Sequence, residues 1–401
     1  MALPPGGAGR GPPAGPFTRL PTPGLAGYNV AWSPFYPDKL AVAGAANYGL
    51  VGNGKLNVIG LVQQGAAGPP GMRIERGFDT QDGLYDLAWS EAHENQVATA
   101  SGDGSIKLWD ISLAEPHPIR HWHEHAREVF SLDWNNVRKD VFASSSWDAS
   151  VRVMEMEEEM EGETEGEAEG GGEEENIRHQ WHPERPSCMT AITSHTACVY
   201  GCAWSPHSAD LLATACGDGH LRLFDLRSST MTSATPGVGA SQAPVATVPV
   251  GGEVLSLDWN KYRPMTLATG STDRAVKVWD LRALVAASAS SPGQPAAGGA
   301  MGPANTAIMM GHEYAVRKVA WSPHRPNVLA SASYDMSARV WDVDAGEKMA
   351  AGPLVGAGPR SLTAVHDAHT EFVVGLAWSL FQEGLVATCA WDCEAHLWAA
   401  R

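Results

Sequence analysis

Residues 311–323 read Gly-His-Glu-Tyr-Ala-Val-Arg-Lys-Val-Ala-Trp-Ser-Pro, followed by Leu-Ala-Ser-Ala-Ser-Tyr-Asp at 329–335 and Ala-Arg-Val-Trp-Asp at 338–342. With Trp321 as zero, His312 stands nine residues before it, Asp335 fourteen after and Trp341 twenty after. The same ruler fits seven times, on Trp32, Trp89, Trp134, Trp204, Trp259, Trp321 and Trp378. Asp103, Asp148, Asp218, Asp273, Asp335 and Asp392 fall at plus fourteen. Trp109, Met154, Phe224, Trp279, Trp341 and Trp398 fall at plus twenty, and His125, His195, His312 and His369 at minus nine.

A fixed internal ruler with variable spacers is the mark of a repeat architecture, and this one resembles the WD repeat. One such unit cannot bury its own apolar faces, whereas seven four-stranded blades closed in a ring can. The expected fold is therefore all-β, a seven-bladed WD40 β-propeller. Each repeat reads as strand a around the zero Trp, then strand b, a tight turn and strand c. The turn is Gly-Asp-Gly at 102–104 and 217–219, which is good short-turn chemistry. The chain stops just after the third strand of the last blade, so Phe17 to Leu20 is expected to supply its outer strand and close the ring. Closure removes two open sheet edges.

The formal charge of −17 is concentrated in one place. Twelve glutamates lie between Glu155 and Glu175 without a basic residue, and removing them from −17 leaves −5 for the remainder. A mildly acidic propeller lacks the basic footprint that nucleic acid requires. No apolar run is long enough to span a bilayer, and the first ten residues lack the layout of a secretory signal. Residues 1–16 and the acidic insert at about 155–180 read as disordered segments flanking or interrupting a propeller over 17–401. Cys188, Cys198, Cys202, Cys216, Cys389 and Cys393 read as small apolar strand residues in a reducing compartment rather than metal ligands. His117, His121, His123 and His125 crowd around Trp122 in a spacer and the next loop, which reads as a surface cluster. No Ser/His/Asp constellation stands apart from the repeat, and no phosphate loop joins a strand to a helix. The expectation is a protein without catalytic residues, metal or cofactor.

The long spacers at 111–119, 155–180, 227–243, 283–304 and 343–361 all follow strand c. In an antiparallel blade the a–b and c–d connections share one face, and the b–c and d–a connections share the other. The second face is thus left clear, apart from an enlarged first-repeat turn at 46–54, and it is the expected working surface. Strand a carries a further regularity. Positions minus five, minus two and zero are mostly apolar; the odd step from minus five to minus two breaks the period of two and implies a bulge, which re-aims one side chain. The residues so freed are Tyr28, Tyr85, Phe130, Tyr200, Leu255, Arg317 and Val374. Trp147, Tyr334 and Trp391 precede turn aspartates on the same face. Aromatic rings with Glu128 and Glu253 among them, and Asp79 and Asp82 at the rim, suit an amphipathic helix carrying Arg or Lys.

At Gly27-Tyr28-Asn29-Val30-Ala31-Trp32-Ser33-Pro34-Phe35, Asn47-Tyr48-Gly49-Leu50-Val51-Gly52-Asn53-Gly54, Asp82-Gly83-Leu84-Tyr85-Asp86-Leu87-Ala88-Trp89 and Ser145-Ser146-Trp147-Asp148, the chain resembles the receptor family for the type-2 peroxisomal targeting signal, the peroxin-seven family. The resemblance implies a non-catalytic receptor that cycles between cytosol and peroxisome. Such receptors bind an N-terminal nonapeptide (Arg/Lys, Leu/Val/Ile, five residues, His/Gln, Leu/Ala) as a helix on the loop face. Partners would be signal-bearing cargo, a co-receptor (a tetratricopeptide-repeat protein in plants and animals, a short peroxin in fungi) and docking peroxins. Within the family, the recurring His, Ser/Thr, Asp and Trp lock each blade by hydrogen bonds. Signal-binding residues are expected to be Tyr28, Tyr48, Asp82, Tyr85, Glu128, Phe130, Trp147, Tyr200, Glu253, Arg317, Tyr334 and Trp391. The chain's last residues, Trp-Ala-Ala-Arg, do not resemble a C-terminal peroxisomal address. A competing reading is a substrate receptor of a cullin-type ubiquitin ligase, from the Trp-Asp-x-Arg form of Trp279 to Arg282. A histone-binding propeller is a third, but the long N-terminal helix usual there is not suggested by the Pro/Gly-rich start.

Overall fold

The computed structural model describes residues 12–50, 52–62, 69–156, 188–227, 242–282, 305–345 and 361–400. Most of the acidic insert, the first eleven residues and most of the longer c–d spacers lie outside them. Twenty-eight strands form seven four-stranded antiparallel sheets. Blade 1 runs from strand a (Ala26–Trp32) to strand d (Gly71–Thr80), and the a strands of blades 2 to 6 are Leu84–Trp89, Val129–Trp134, Val199–Trp204, Val254–Trp259 and Val316–Trp321. Blade 7 begins at Val373–Trp378, and its fourth strand is Phe17–Pro21, paired with Glu394–Ala399 so that Phe17 faces Trp398. The ring is closed as expected: strand a of blade 1 packs against strand a of blade 7 as well as that of blade 2. Ahead of Phe17, the chain runs along blades 6 and 7, with Ala14 N donating to Val365 O and Gly15 N to Ala399 O.

Each zero Trp earns its place between blades. Its ring is buried, and in five of the seven the indole N–H donates to the strand-a carbonyl of the preceding blade, as in Trp89 to Ala31 (3.1 Å), Trp259 to Ala203 (3.0 Å) and Trp378 to Ala320 (2.9 Å). Trp204 and Trp321 leave that N–H without a partner. In both cases the preceding blade carries Asp rather than Ala before its zero Trp. Asp133 and Asp258 accept the backbone N–H of Trp204 (2.7 Å) and Trp321 (2.6 Å) instead. Strand b is sandwiched between neighbours, and its small residues, such as Ser-Ser-Ser at 144–146 or Ala-Thr-Ala at 98–100, are buried on both sides.

The full four-residue lock that the resemblance implied forms in blade 6, and other blades carry parts of it. In blade 6 Trp341 Nε1 donates to Ser331 Oγ (2.8 Å), His312 Nε2 meets the same hydroxyl (2.7 Å), and His312 Nδ1 meets Asp335 (2.8 Å). Burial alone would raise the Asp335 carboxyl, but the His312 bond holds it well below the usual range. Blades 3 and 7 repeat the His–Asp contact at 3.0 and 2.8 Å. Blade 4 departs: Arg222 and Thr196 take Asp218, His195 Nδ1 has no partner, and burial lowers that imidazole to about 4.

Candidate functional site

All seven a strands contain the bulge inferred from the broken parity. The pairing with strand b skips one residue in each blade, and the skipped residue is Tyr28, Tyr85, Phe130, Tyr200, Leu255, Arg317 or Val374. Two of the seven do not open to the surface: Leu255 is 6% exposed and Val374 2%. The open rings therefore form an arc over part of the mouth rather than a full circle.

That arc is continuous. Tyr200 lies 5.7 Å from Phe130, Phe130 stacks on Tyr85 at 5.0 Å, Tyr85 meets Tyr28 edge-on at 5.0 Å, and Tyr28 lies 5.7 Å from Trp391. Trp391 continues to Tyr48 (5.7 Å) and Tyr334 (6.5 Å). Phe372, not among the expected residues, fills the corner at 5.4 Å from Trp391 and 5.0 Å from Tyr334. Trp147 branches from Phe130 at 5.7 Å, with the Arg127 guanidinium 4.6 Å over its indole. Burial pushes the phenols of Tyr28, Tyr85 and Tyr200 above their ordinary value, so all three are neutral donors at physiological pH.

Two of those hydroxyls have a structural task. Tyr28 donates to Tyr48 O at 2.6 Å and Tyr85 to Gly49 O at 2.8 Å, so the enlarged first-repeat turn is pinned over the floor. Within the turn Asn47 (φ 48°) and Tyr48 (φ 56°) are both left-handed, a strained arrangement for non-glycine residues, held by those bonds. Gly49 is also left-handed, at φ 72°, and a Cβ there would lie 2.6 Å from the Tyr28 hydroxyl and 2.9 Å from Tyr85. The Tyr48 ring itself is 51% exposed.

The charged residues sit around this arc. Asp82 and Glu128 lie in the loops entering blades 2 and 3 and Glu253 in that entering blade 5; Glu128 is 3.5 Å from Arg127, and Glu253 is exposed, its backbone N–H bonded to Thr272. Asp79 stands at the edge, 78% exposed and paired with Lys55. Arg317 reaches Leu255 O at 3.1 Å. Below the arc a channel of about 250 Å³ runs between the a strands toward Lys261 and Leu380 on the other face. Asp86 bridges three blades there, accepting from Asn29 and from Leu132 N. Burial raises Asp133 to about 7.

His366, His369 and His396 form a buried cluster where strand d of blade 6 meets the closing blade, with ring nitrogens within 4.8 Å of one another. Those nitrogens are largely committed to protein partners: His366 Nε2 to His396 Nδ1, His369 to Asp392 and Thr388, and His396 Nε2 to Glu394. Arg282 of the Trp-Asp-x-Arg segment folds back onto Asp280. No helix among the described residues is long and apolar enough to cross a membrane.

Fold and mouth together define a WD-repeat propeller whose loop face is an aromatic arc bordered by carboxylates. The family described as WD domain, G-beta repeat, matches residues 75–110, 116–154, 186–225, 243–280 and 304–342. The chain is 36% identical to the peroxisomal targeting signal 2 receptor of Saccharomyces cerevisiae over 390 residues, which is 94% of this chain and 97% of the relative. It is 38% identical to peroxisome biogenesis protein 7 of Arabidopsis thaliana, covering 93% of this chain and 94% of that one. It is 33% identical to the human peroxisomal targeting signal 2 receptor, covering 89% and 87%. The chain belongs to the family of peroxisomal targeting signal 2 receptors.

Proposed function

We infer that this chain is the import receptor for proteins carrying the N-terminal type-2 peroxisomal signal, which it binds as an amphipathic helix on the aromatic arc. The observation that carries the reading is the spacing of the rings. Successive centroids from Phe130 through Tyr85 and Tyr28 to Trp391 are 5.0, 5.0 and 5.7 Å apart, close to the 5.4 Å pitch of an α-helix. An apolar stripe at i, i+3/i+4 and i+7 meets one ring per turn. Asp82, Glu128 and Glu253 receive the basic side chains, while the remaining residues of the expected set frame the stripe.

The activity is binding rather than catalysis. A tetratricopeptide-repeat co-receptor covers the outer side of the helix and, through docking peroxins, carries the complex from the cytosol to the peroxisomal matrix; the receptor then returns. The test is fluorescence anisotropy of a labelled signal nonapeptide with the full chain, alone and with the co-receptor. Saturable binding is expected that is lost when the apolar positions are scrambled. Absence of saturable binding in both conditions, or equal binding of the scrambled peptide, would overturn the reading.

A further inference from the structure

Arg317 is out of keeping with the rest of the mouth. It fills the bulge position of blade 6, where blades 1 to 4 carry rings and blades 5 and 7 carry buried aliphatic residues. Its guanidinium is partly buried and has one hydrogen bond, to Leu255 O, and among the described residues no carboxylate lies within 4.0 Å of it. Glu253 and Glu371 occupy the rims of the neighbouring blades, exposed and unpaired with it. It lines the same channel as Tyr28 and Tyr200, and its charge offsets part of the rise in both phenols. A guanidinium offers five N–H donors. A half-buried cation without a counter-charge costs free energy in the free protein, and an occupant with free acceptors relieves that cost.

Carboxylates stand on the opposite side of the ring. Asp82 and Glu128 enter blades 2 and 3, and the boundary between those blades lies three and a half blades from blade 6 in a ring of seven. Arg317 thus stands across the channel from Asp82 and Glu128 as the one cation at a bulge position, with Glu253, Glu313 and Glu371 exposed on the rim around it. A helix has two unlike ends: free N–H groups and partial positive charge at its start, free carbonyls and partial negative charge at its end. A signal that begins with Arg or Lys adds side-chain charge to the positive end.

Building on the receptor reading above, we propose that Arg317 sets the direction of the bound helix. The first turn lies over Asp82 and Glu128, and the last-turn carbonyls are seated on the Arg317 guanidinium. Arg317 is thus a specificity-determining residue that distinguishes a helix with its cationic end first from the same apolar stripe run backwards.

The test uses signal nonapeptides carrying a benzophenone at either the first or the last residue, photo-crosslinked to the full wild-type chain and mapped by mass spectrometry. The last-residue probe is expected to label blade 6 around Tyr314 and Arg317, and the first-residue probe the loops entering blades 2 and 3. Arg317→Met is expected to weaken binding about tenfold, as for a lost charged hydrogen bond, and to mix the two labelling patterns; Arg317→Lys is expected to keep the pattern. Thermal melts establish that the variants are folded, and the wild-type mapping stands without them. Reversed or mixed labelling of the wild type overturns the proposal while leaving the receptor reading intact, as does an Arg317→Met protein with unchanged affinity and pattern. Failure of the wild type to bind at all would instead sink the receptor reading.

Discussion

Trp147→Ala should weaken signal binding far more than it weakens the fold. The indole sits at the tip of the b–c turn of blade 3, 36% exposed, with Phe130 on one side at 5.7 Å and Arg127 over it at 4.6 Å. In the free protein its removal deletes one aromatic pair and one cation–π contact, each about 0.5–1 kcal/mol, a small part of a domain's usual stability. In the complex the still-exposed part of the ring becomes an anchor, and truncating such a residue costs about 2 kcal/mol or more, roughly thirtyfold in affinity. Asp79 makes the control. It is 78% exposed and paired with Lys55 at 3.0 Å, so Asp79→Ala is expected to cost at most about 1 kcal/mol, no more than roughly fivefold. Peptide anisotropy gives the two affinities, and thermal melts of the free proteins give the cost to the fold. Comparable affinity losses for the two variants, or a Trp147→Ala loss fully matched by unfolding, would refute the anchor argument.

Gly49→Ala is expected to lift the first-repeat turn from Tyr28 and Tyr85, because its Cβ collides with both and its φ of 72° is strained for alanine. The cost, about 2 kcal/mol from strain and weakened hydrogen bonds, should appear as faster proteolytic nicking near the turn; an unchanged digestion profile would show that the pins do not matter. Glu128→Lys and Glu253→Lys are each expected to abolish capture of signal-bearing cargo in a pull-down, and retained capture removes that residue from the site. Acid should destabilise the chain before most of its carboxylates titrate, although buried Asp133, raised to about 7, takes up its proton in the folded state and offsets part of the loss. Burial, with His369 and His396 nearby, lowers His366 to about 3, and burial lowers His195 to about 4. The unfolded chain takes up these protons below its ordinary histidine value near 6.5. Stability from these groups is therefore full above that pH and lost as pH falls toward the folded values, by about 1 kcal/mol per pH unit for each proton. Melting temperatures should decline from about pH 6.5 to 4.5, and His366→Gln should flatten the decline; a flat profile in the wild type would contradict it.

Repetition is what made the fold and the bulges readable. An odd step between two apolar residues in a single strand carries no message, but in seven aligned strands it becomes a rule, and the ladder slips at the residue the rule names in every blade. What the ruler cannot express is any feature that occurs once. The enlarged turn lies outside the seven-fold pattern, so nothing in the spacing says that Tyr28 and Tyr85 point their hydroxyls at its carbonyls. The exchange at Asp218 is equally hidden. A basic residue stands two before the strand-c position in blades 2 to 6, yet in blade 4 Arg222 takes the aspartate and leaves His195 Nδ1 without a partner. In blade 7 that basic residue is replaced by His396, and the consequence is a histidine cluster in contact with Phe17 of the closing strand.

The same reasoning explains why the site is eccentric. Seven equivalent bulges would by themselves build a seven-fold mouth, which has no way to tell one end of a peptide from the other. Leu255 and Val374 are withdrawn into the interior on either side of Arg317, while the opposite blades retain rings and gain Asp82 and Glu128. These departures confine the apolar floor to one arc and leave a single cation, Arg317, among the bulge positions. The repeat builds the platform; its irregular positions make the mouth asymmetric, and the proposed reading of a short helix from one end rests on that asymmetry.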